Sequence, residues 1–424
     1  MNPEAAGRSA HAGRHLAWDS SPAWAASGQV PHGQGWGAPL RCLCENLGCQ
    51  HFARRAVLNR TVSRRRFLVV GAAAAVGVAA LDGVALLGSS PGNRKPLNWA
   101  SPRGSLDVVD DYPLWVATKL GYFAGQGLDL SISAGPAQAD SGLSQVLDGL
   151  ADVGFPSPGL LASTVDRGLP LQSFFQLCAG PVFGFAVRSG SAISQVAQLA
   201  GGSVAVASKS WTELVEPLLV EAGIGPRAVR VLVAGKDWLA STGSGRTEAS
   251  LAWSGLEGSP SAHGLRFLLG ERWSTLPANS YVARASALAD ANRRKELTAF
   301  TRAVVMGLEF ARASPAAAAQ IVYELAPGLA DSTSPALAVR AVSRMAGVYE
   351  AGRQRGQPWG VHEKKRWAAF LRIQEELGRT KRLRPEDVYT NALIRAANDI
   401  DFLRVQSDAL AYPLDRGFRA AQGA

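Results

Sequence analysis

Cysteine is almost absent from most of this chain. Four occur in 424 residues, and Cys42, Cys44 and Cys49 lie within the first fifty. Beyond them stands Cys178 alone, so the long remainder cannot close an internal disulfide. Its stability must come from core burial, which a chain of this length can supply. Histidine is as thin: past residue 94 only His263 and His362 occur, neither patterned with a nucleophile or a base. The apolar run Phe67–Leu81 has fifteen residues, short of the roughly 18–20 that a spanning helix needs. A basic stripe on the main body is missing too. The formal net charge is +10, but residues 1–94 hold ten Arg, no Lys and four acidic residues (10 − 4 = +6), leaving +4 for the other 330. The high positive charge is therefore largely N-terminal, and nucleic-acid binding is not expected. What is present is globular: 47% hydrophobic, 18% charged, with 45 Gly. The length exceeds one ordinary core, so two or more lobes are expected.

Residues 1–56 show no sustained helical or strand period. They read as a disordered extension, or as a stretch upstream of the true start. Cys42, Cys44, Cys49 and His51 are ligand types a metal would accept, yet their spacing fits no common zinc pattern, so no metal or cofactor is expected. Residues 57–94 form a signal segment. Ser63-Arg-Arg-Arg-Phe-Leu68 resembles a twin-arginine export signal, with a basic region ahead of an Ala/Gly-rich apolar run. Two fates stay open, cleavage at small residues near Ala80 or Ala85 and retention as an anchor. No Cys follows the run, which argues against a lipoprotein.

From residue 96 short apolar runs alternate with helical patterns. Leu97–Ala100, Leu128–Ser133, Leu171–Leu177, Ser203–Ala207, Val229–Val233, Ser250–Trp253 and Arg266–Leu269 read as strands. Leu143–Ala151, Gly159–Arg167, Ile193–Leu199 and Trp211–Ala222 read as helices. This order predicts α/β lobes with mostly parallel sheets flanked by helices. Two extended runs ending in Arg, Phe183–Arg188 and Asn279–Arg284, read as crossings between lobes. The expected division is 95–186 for the first part of lobe 1, 187–278 for lobe 2, and 279–424 for the return to lobe 1 with C-terminal helices. Those helices are expected over Ala285–Ala313, Pro315–Leu325, Pro335–Ala351, Lys364–Leu377 and Pro385–Asn398.

Four blocks carry a family resemblance. They are Tyr112-Pro-Leu-Trp-Val-Ala-Thr-Lys-Leu-Gly-Tyr-Phe-Ala-Gly-Gln-Gly-Leu-Asp-Leu130, Val146-Leu-Asp-Gly-Leu-Ala-Asp-Val-Gly-Phe155, Val187-Arg-Ser-Gly-Ser-Ala-Ile193 with Leu199-Ala-Gly-Gly-Ser-Val-Ala-Val206, and Asp387-Val-Tyr-Thr-Asn391 with Asn398. In this order they resemble periplasmic solute-binding proteins of ABC importers, of the nitrate, sulfonate, taurine and thiamine-pyrimidine-precursor type. The resemblance implies a two-lobed periplasmic-binding-protein fold of type II. It also implies an ABC permease and its ATPase as partners, with a monomer as the norm. The twin-arginine motif adds its export machinery as a further partner.

Ligands in parallel α/β lobes bind beyond the carboxyl ends of strands, near helix N-termini. After the first strand come Arg103, a cation suited to an anionic group, then Asp111 and Tyr112. After Val153 come Phe155 and Ser157, the latter placed to cap a helix. Ser208, Lys209, Ser210, Trp211 and Thr212 open another helix, with hydroxyls and bare amides for a polar headgroup and an indole for a planar one. The resemblance also places ligand contacts at this loop. Trp253 and Ser254 end a strand, Gln176 ends another, and Asn279 and Tyr281 lie at the second crossing. The expected function is extracytoplasmic binding of a small polar, sulfonate-like or heteroaromatic ligand, with no catalysis. The competing readings are an enzyme on the same fold, of pyrimidine-precursor or dehydratase type, and a membrane-anchored sensor domain.

Overall fold

The structure, a computed structural model, describes residues 94–422 apart from Gly104, 136–140, Ala179, 257–261, Glu271, Trp273, Pro327 and 352–355. The cysteine cluster, the twin-arginine motif and its apolar run lie outside the described residues, as do the side chains of Ser141, Ser210, Ser332 and Ala351.

Among the described residues ten strands form two five-stranded sheets. They are β1 Lys95–Ala100, β2 Leu128–Ser133, β3 Val153–Gly154, β4 Leu171–Phe175, β5 Phe183–Arg188, β6 Ser203–Val206, β7 Arg230–Val233, β8 Ala249–Trp253, β9 Leu265–Leu268 and β10 Tyr281–Arg284. The first sheet runs β2-β1-β3-β10-β4 and the second β7-β6-β8-β5-β9. In the first, β1 pairs parallel with β2 and β3, while β10 is antiparallel to β3 and β4. In the second, β6 pairs parallel with β7 and β8, while β5 is antiparallel to β8 and β9. Each sheet therefore has four strands in one direction and one reversed. The reversed strands, β5 and β10, are the two apolar runs ending in Arg. The central strands explain the unbroken apolar runs: β6 is buried at all four positions, as a strand covered by helices on both faces must be.

Sixteen α-helices are described. They are α1 Tyr112–Lys119, α2 Tyr122–Gly125, α3 Ser141–Asp148, α4 Pro158–Asp166, α5 Thr212–Glu221, α6 Trp238–Gly243, α7 Ala285–Ala289, α8 Ala291–Ala313, α9 Pro315–Leu325, α10 Leu329–Ser332, α11 Pro335–Ala351, α12 Lys364–Glu376, α13 Pro385–Val388, α14 Ile394–Ala397, α15 Phe402–Ala411 and α16 Arg416–Ala421. Among the described residues no helix is long and apolar enough to cross a membrane.

Local chemistry sets the helix boundaries where the periodic reading ran on. The predicted Ala285–Ala313 helix breaks at Asp290, whose extended backbone lets its carboxylate accept from the N–H groups of Asn292 and Arg293 and so start α8. Ile193–Leu199 forms only a 3-10 turn over Val196–Leu199. Pro385–Asn398 is two short helices, because Tyr389 turns extended and the Thr390 N–H donates to Ser173 O in β4 at 2.8 Å. Pairing with the sheet outweighs helix propensity there.

Helix α12 packs against α4 and α5. Trp367, Phe370, Leu371 and Ile373 share one buried cluster with Leu161 of α4 and with Val215, Leu218 and Leu219 of α5. Just beyond α12, Arg379 pairs with Glu216 of α5 and donates from Nη1 to the Glu213 carbonyl at 3.1 Å.

Candidate functional site

A cavity of ≈ 160 Å³ lies between the two sheets. The first sheet supplies Pro102, Arg103 and Asp110 after β1, Phe155, Pro156, Ser157 and Leu160 after β3, and Cys178 and Val182 after β4. The second supplies Phe183 of β5, Trp211, Glu213 and Leu214 at the start of α5, and Trp253 at the end of β8. Asn279, before β10, and Met345 and Tyr349 of α11 complete the wall. Most of that wall is apolar or aromatic, with a few polar groups set into it, as small-molecule sites generally are.

The charged groups are heavily engaged with one another. Arg103 donates from Nη2 to the buried Asp111 carboxylate, and its Nη1 lies 4.0 Å from Asp110. Those two carboxylates hold the guanidinium firmly in its charged form against the effect of burial. This pairing also explains why Asp111, at the N-cap of α1, makes no side-chain cap there. Burial pushes the Asp110 carboxyl up to about 6, although Arg103 works in the other direction. The Trp253 indole N–H donates to Asp110, which ties the first lobe to the second. Gly255 sits against this pair: a Cβ there would stand 2.5 Å from Asp110 Oδ1 and 3.1 Å from Trp253 Nε1. Behind Asp110, the Tyr349 hydroxyl donates to the Asp110 carbonyl at 2.9 Å, and the Cys178 thiol shares a hydrogen bond with that hydroxyl. Desolvation pushes the thiol well above its ordinary value, so Cys178 is no thiolate nucleophile.

Aromatic rings build the other wall. Trp211 meets Trp253 edge to face at 5.7 Å, and Trp238 stacks on Trp253 at 6.2 Å. Trp238 is fixed by donating its Nε1–H to the Leu251 carbonyl at 2.9 Å. Ser157 caps α4, its Oγ accepting from the Leu160 N–H at 3.3 Å. Asn279 donates from Nδ2 to the Phe155 carbonyl at 3.1 Å.

Comparison with known proteins fits this arrangement. Residues 110–318 match the family model described as NMT1/THI5 like. They form an NMT1/THI5-like domain. No curated protein matches the chain. Three solved structures share the fold. A protein from Bordetella bronchiseptica RB50 is 20% identical, with TM-score 0.54 over 72% of this chain and 98% of its own. The ligand-binding component of an ABC-type import system from Staphylococcus aureus, solved with zinc bound, is 10% identical, with TM-score 0.52 over 72% and 99%. The alkanesulfonate-binding protein SsuA from Xanthomonas axonopodis pv. citri, bound to MOPS, is 16% identical, with TM-score 0.50 over 71% and 97%. The fold is that of periplasmic binding proteins, with two mixed sheets flanked by helices.

Within this NMT1/THI5-like domain and its flanks, the structure brings together six of the residues singled out from sequence: Arg103, Phe155, Ser157, Trp211, Trp253 and Asn279 line the cavity. Asp111 stands behind Arg103. Tyr112 is buried and stacks on Tyr349 at 5.7 Å. Gln176 is buried and occupied at both ends, donating to the Cys178 and Ala278 carbonyls and accepting from Trp367 Nε1. Tyr281 is in the core against Phe155, Phe175 and Phe300. Ser254 is buried, its backbone N–H donating to the Val182 carbonyl at 3.2 Å. Ser208, Lys209 and Thr212 sit on the same turn as Trp211 but do not line the cavity, and Lys209 is exposed. Sequence reasoning missed Asp110, whose neighbour Asp111 was chosen instead, and Met345 and Tyr349, one helical turn apart on a helix that carries no signal of facing a ligand.

A Ser–His–Asn arrangement lies elsewhere and is sealed. His362 Nε2 is 2.6 Å from Ser173 Oγ, Nδ1 is 2.9 Å from Asn391 Oδ1, and the ring stacks on Tyr389 at 4.5 Å. Only 2% of His362 is exposed and Ser173 is fully buried, so no substrate reaches them. They pin the Tyr389 segment to β4. Among the described residues no group of His, Cys, Asp and Glu is placed to hold a metal ion.

Proposed function

We propose that this chain is the extracytoplasmic solute-binding component of an ABC importer. A small ligand enters the cleft, closure of the lobes buries it, and the closed form docks on the permease and its ATPase. The observation that carries this reading is the cavity itself. It is walled by both lobes, at the carboxyl ends of the strands, and the Asp110–Trp253 bond crosses it. The shared fold of a solved ABC-type import component supports it. In this reading lobe 1 is 95–186 with the return 279–424, lobe 2 is 187–278, and the protein acts as a monomer. The twin-arginine segment at 57–94 directs it across the membrane. Catalysis on the same fold is less favoured: among the described residues no histidine lines the cavity, and its one thiol is held protonated. Thermal unfolding of the exported domain against a broad panel of metabolites tests the proposal. A ligand present at a hundred times its Kd should add about 2.7 kcal/mol of stability. A panel with no upward shift in Tm, together with no small molecule co-purifying by mass spectrometry, counts against it.

A further inference from the structure

The donor and charge inventory of the cleft narrows the ligand class, on the reading that the cleft binds a solute. Among the described residues three charged side chains line the cavity: Arg103, Asp110 and Glu213. Asp111 lies directly behind Arg103 and takes its Nη2, while Nη1 lies 4.0 Å from Asp110. Among the described residues one positive charge therefore faces three negative ones, and no lysine or second arginine lines the wall to redress the balance. Some of the wall's hydrogen-bond donors are engaged. The Trp253 N–H goes to Asp110, the Tyr349 O–H to the Asp110 carbonyl, and Asn279 Nδ2 to the Phe155 carbonyl. Arg103 Nε is buried without a partner, and Nη1, 4.0 Å from Asp110, is ion-paired there rather than hydrogen-bonded. A sulfonate or nitrate would bring a further full negative charge to a wall where Asp110, Asp111 and Glu213 already outnumber Arg103. Acceptors are in surplus: a carboxylate oxygen has room for more than the one bond from Trp253. Two indoles, from Trp211 and Trp253, stand in the same wall, and aromatic faces attract cations.

We infer that the cleft takes an organic cation with an apolar or aromatic body, its nitrogen set against Asp110 and the two indoles, and that it rejects sulfonates. The nitrogen's N–H groups donate to the Asp110 carboxylate, and the body lies along Phe155, Phe183 and Leu214. The second-lobe contacts come through Trp211 and Trp253, so the same ligand fills the gap between lobes.

Three probes with one body and different heads decide it: benzylammonium, benzyl alcohol and phenylmethanesulfonate, titrated calorimetrically and by thermal shift into the exported domain at pH 7.5. Benzylammonium should bind most tightly, the alcohol at least tenfold more weakly, and the sulfonate not at all. The Asp110→Asn variant should lose about tenfold or more for benzylammonium, a larger factor than it loses for the alcohol. Should that variant fail to fold, the ranking in the parent protein decides alone. A sulfonate that matches or exceeds the ammonium overturns the inference, and so does an ammonium that fails to bind. If the ammonium fails but the metabolite panel yields another ligand, solute binding stands and only the cation assignment falls. If nothing binds at all, both fall.

Discussion

His362 shows how a buried side chain can look catalytic and be structural. Desolvation pulls its imidazole down to about 3, although the bond to Asn391 favours the charged form. The neutral ring then carries its proton on Nδ1, which donates to Asn391 Oδ1, and the Ser173 hydroxyl donates to Nε2. Two-bond 1H–15N spectra should report that single tautomer from pH 8 down to pH 4. A titration midpoint above pH 5 would refute it. A histidine whose folded value is depressed stabilises the fold fully above its unfolded value, about 6.5, and loses that contribution as pH falls toward 3. Asp110 has the opposite slope. Its folded value, about 6, is raised, so its contribution is complete below about 4 and is lost as pH rises through 6. Ionised Asp110 thus destabilises the unliganded protein near neutrality, as a group kept for binding can. Asp110→Asn should raise stability at pH 8 by roughly 1–3 kcal/mol, and the gain should shrink toward zero at pH 4. Urea unfolding at both pH values measures this, and a variant less stable at pH 8 contradicts it.

Elements meet through close approaches that small residues permit. Gly307 lies in the middle of α8, where alanine would ordinarily stabilise a helix by about 1 kcal/mol. Here a Cβ would stand 2.3 Å from the Pro113 carbonyl and 3.0 Å from its Cα, both rigid backbone of α1. Overpacking of this kind costs about 1–3 kcal/mol, which exceeds the propensity gain. Gly307→Ala should therefore lower the urea midpoint, and an unchanged or higher midpoint would show that α1 can shift at little cost. Such contacts are invisible in one sequence, and they mark what was and was not legible in it. Period-2 and unbroken apolar runs revealed the principal strands, because burial on both faces leaves that mark. The reversed direction of β5 and β10 left none, since an antiparallel strand covered by helices has the same composition as a parallel one. The extended Tyr389 segment carries no strand signal of its own, because its partner, Ser173, lies more than two hundred residues away.

At the scale of the molecule the same limit governs the site. The turns after β1, β3, β6 and β8 could be found because ligand positions follow strand ends. The wall from α11 could not, since a C-terminal helix reaches the cleft only through tertiary packing. The charge ledger had a similar fate. Arg103 read alone suggests an anion, and only the folded chain shows that Asp110 and Asp111 already occupy it. Export belongs to this scale as well. The described domain holds one cysteine, Cys178, which is free and buried, so it requires no disulfide and can fold in a reducing compartment, as export in folded form by the proposed route would need. The proposed twin-arginine route depends on Arg64 and Arg65 rather than on net charge. Replacing both by Lys preserves the positive charge ahead of Phe67–Leu81 and removes only the guanidinium pair. Cell fractionation of the R64K/R65K variant should find the protein retained in the cytoplasm, with an unfolding transition like that of the exported form. Undiminished export of the variant would show that the basic segment acts through charge alone, and the twin-arginine proposal would fall.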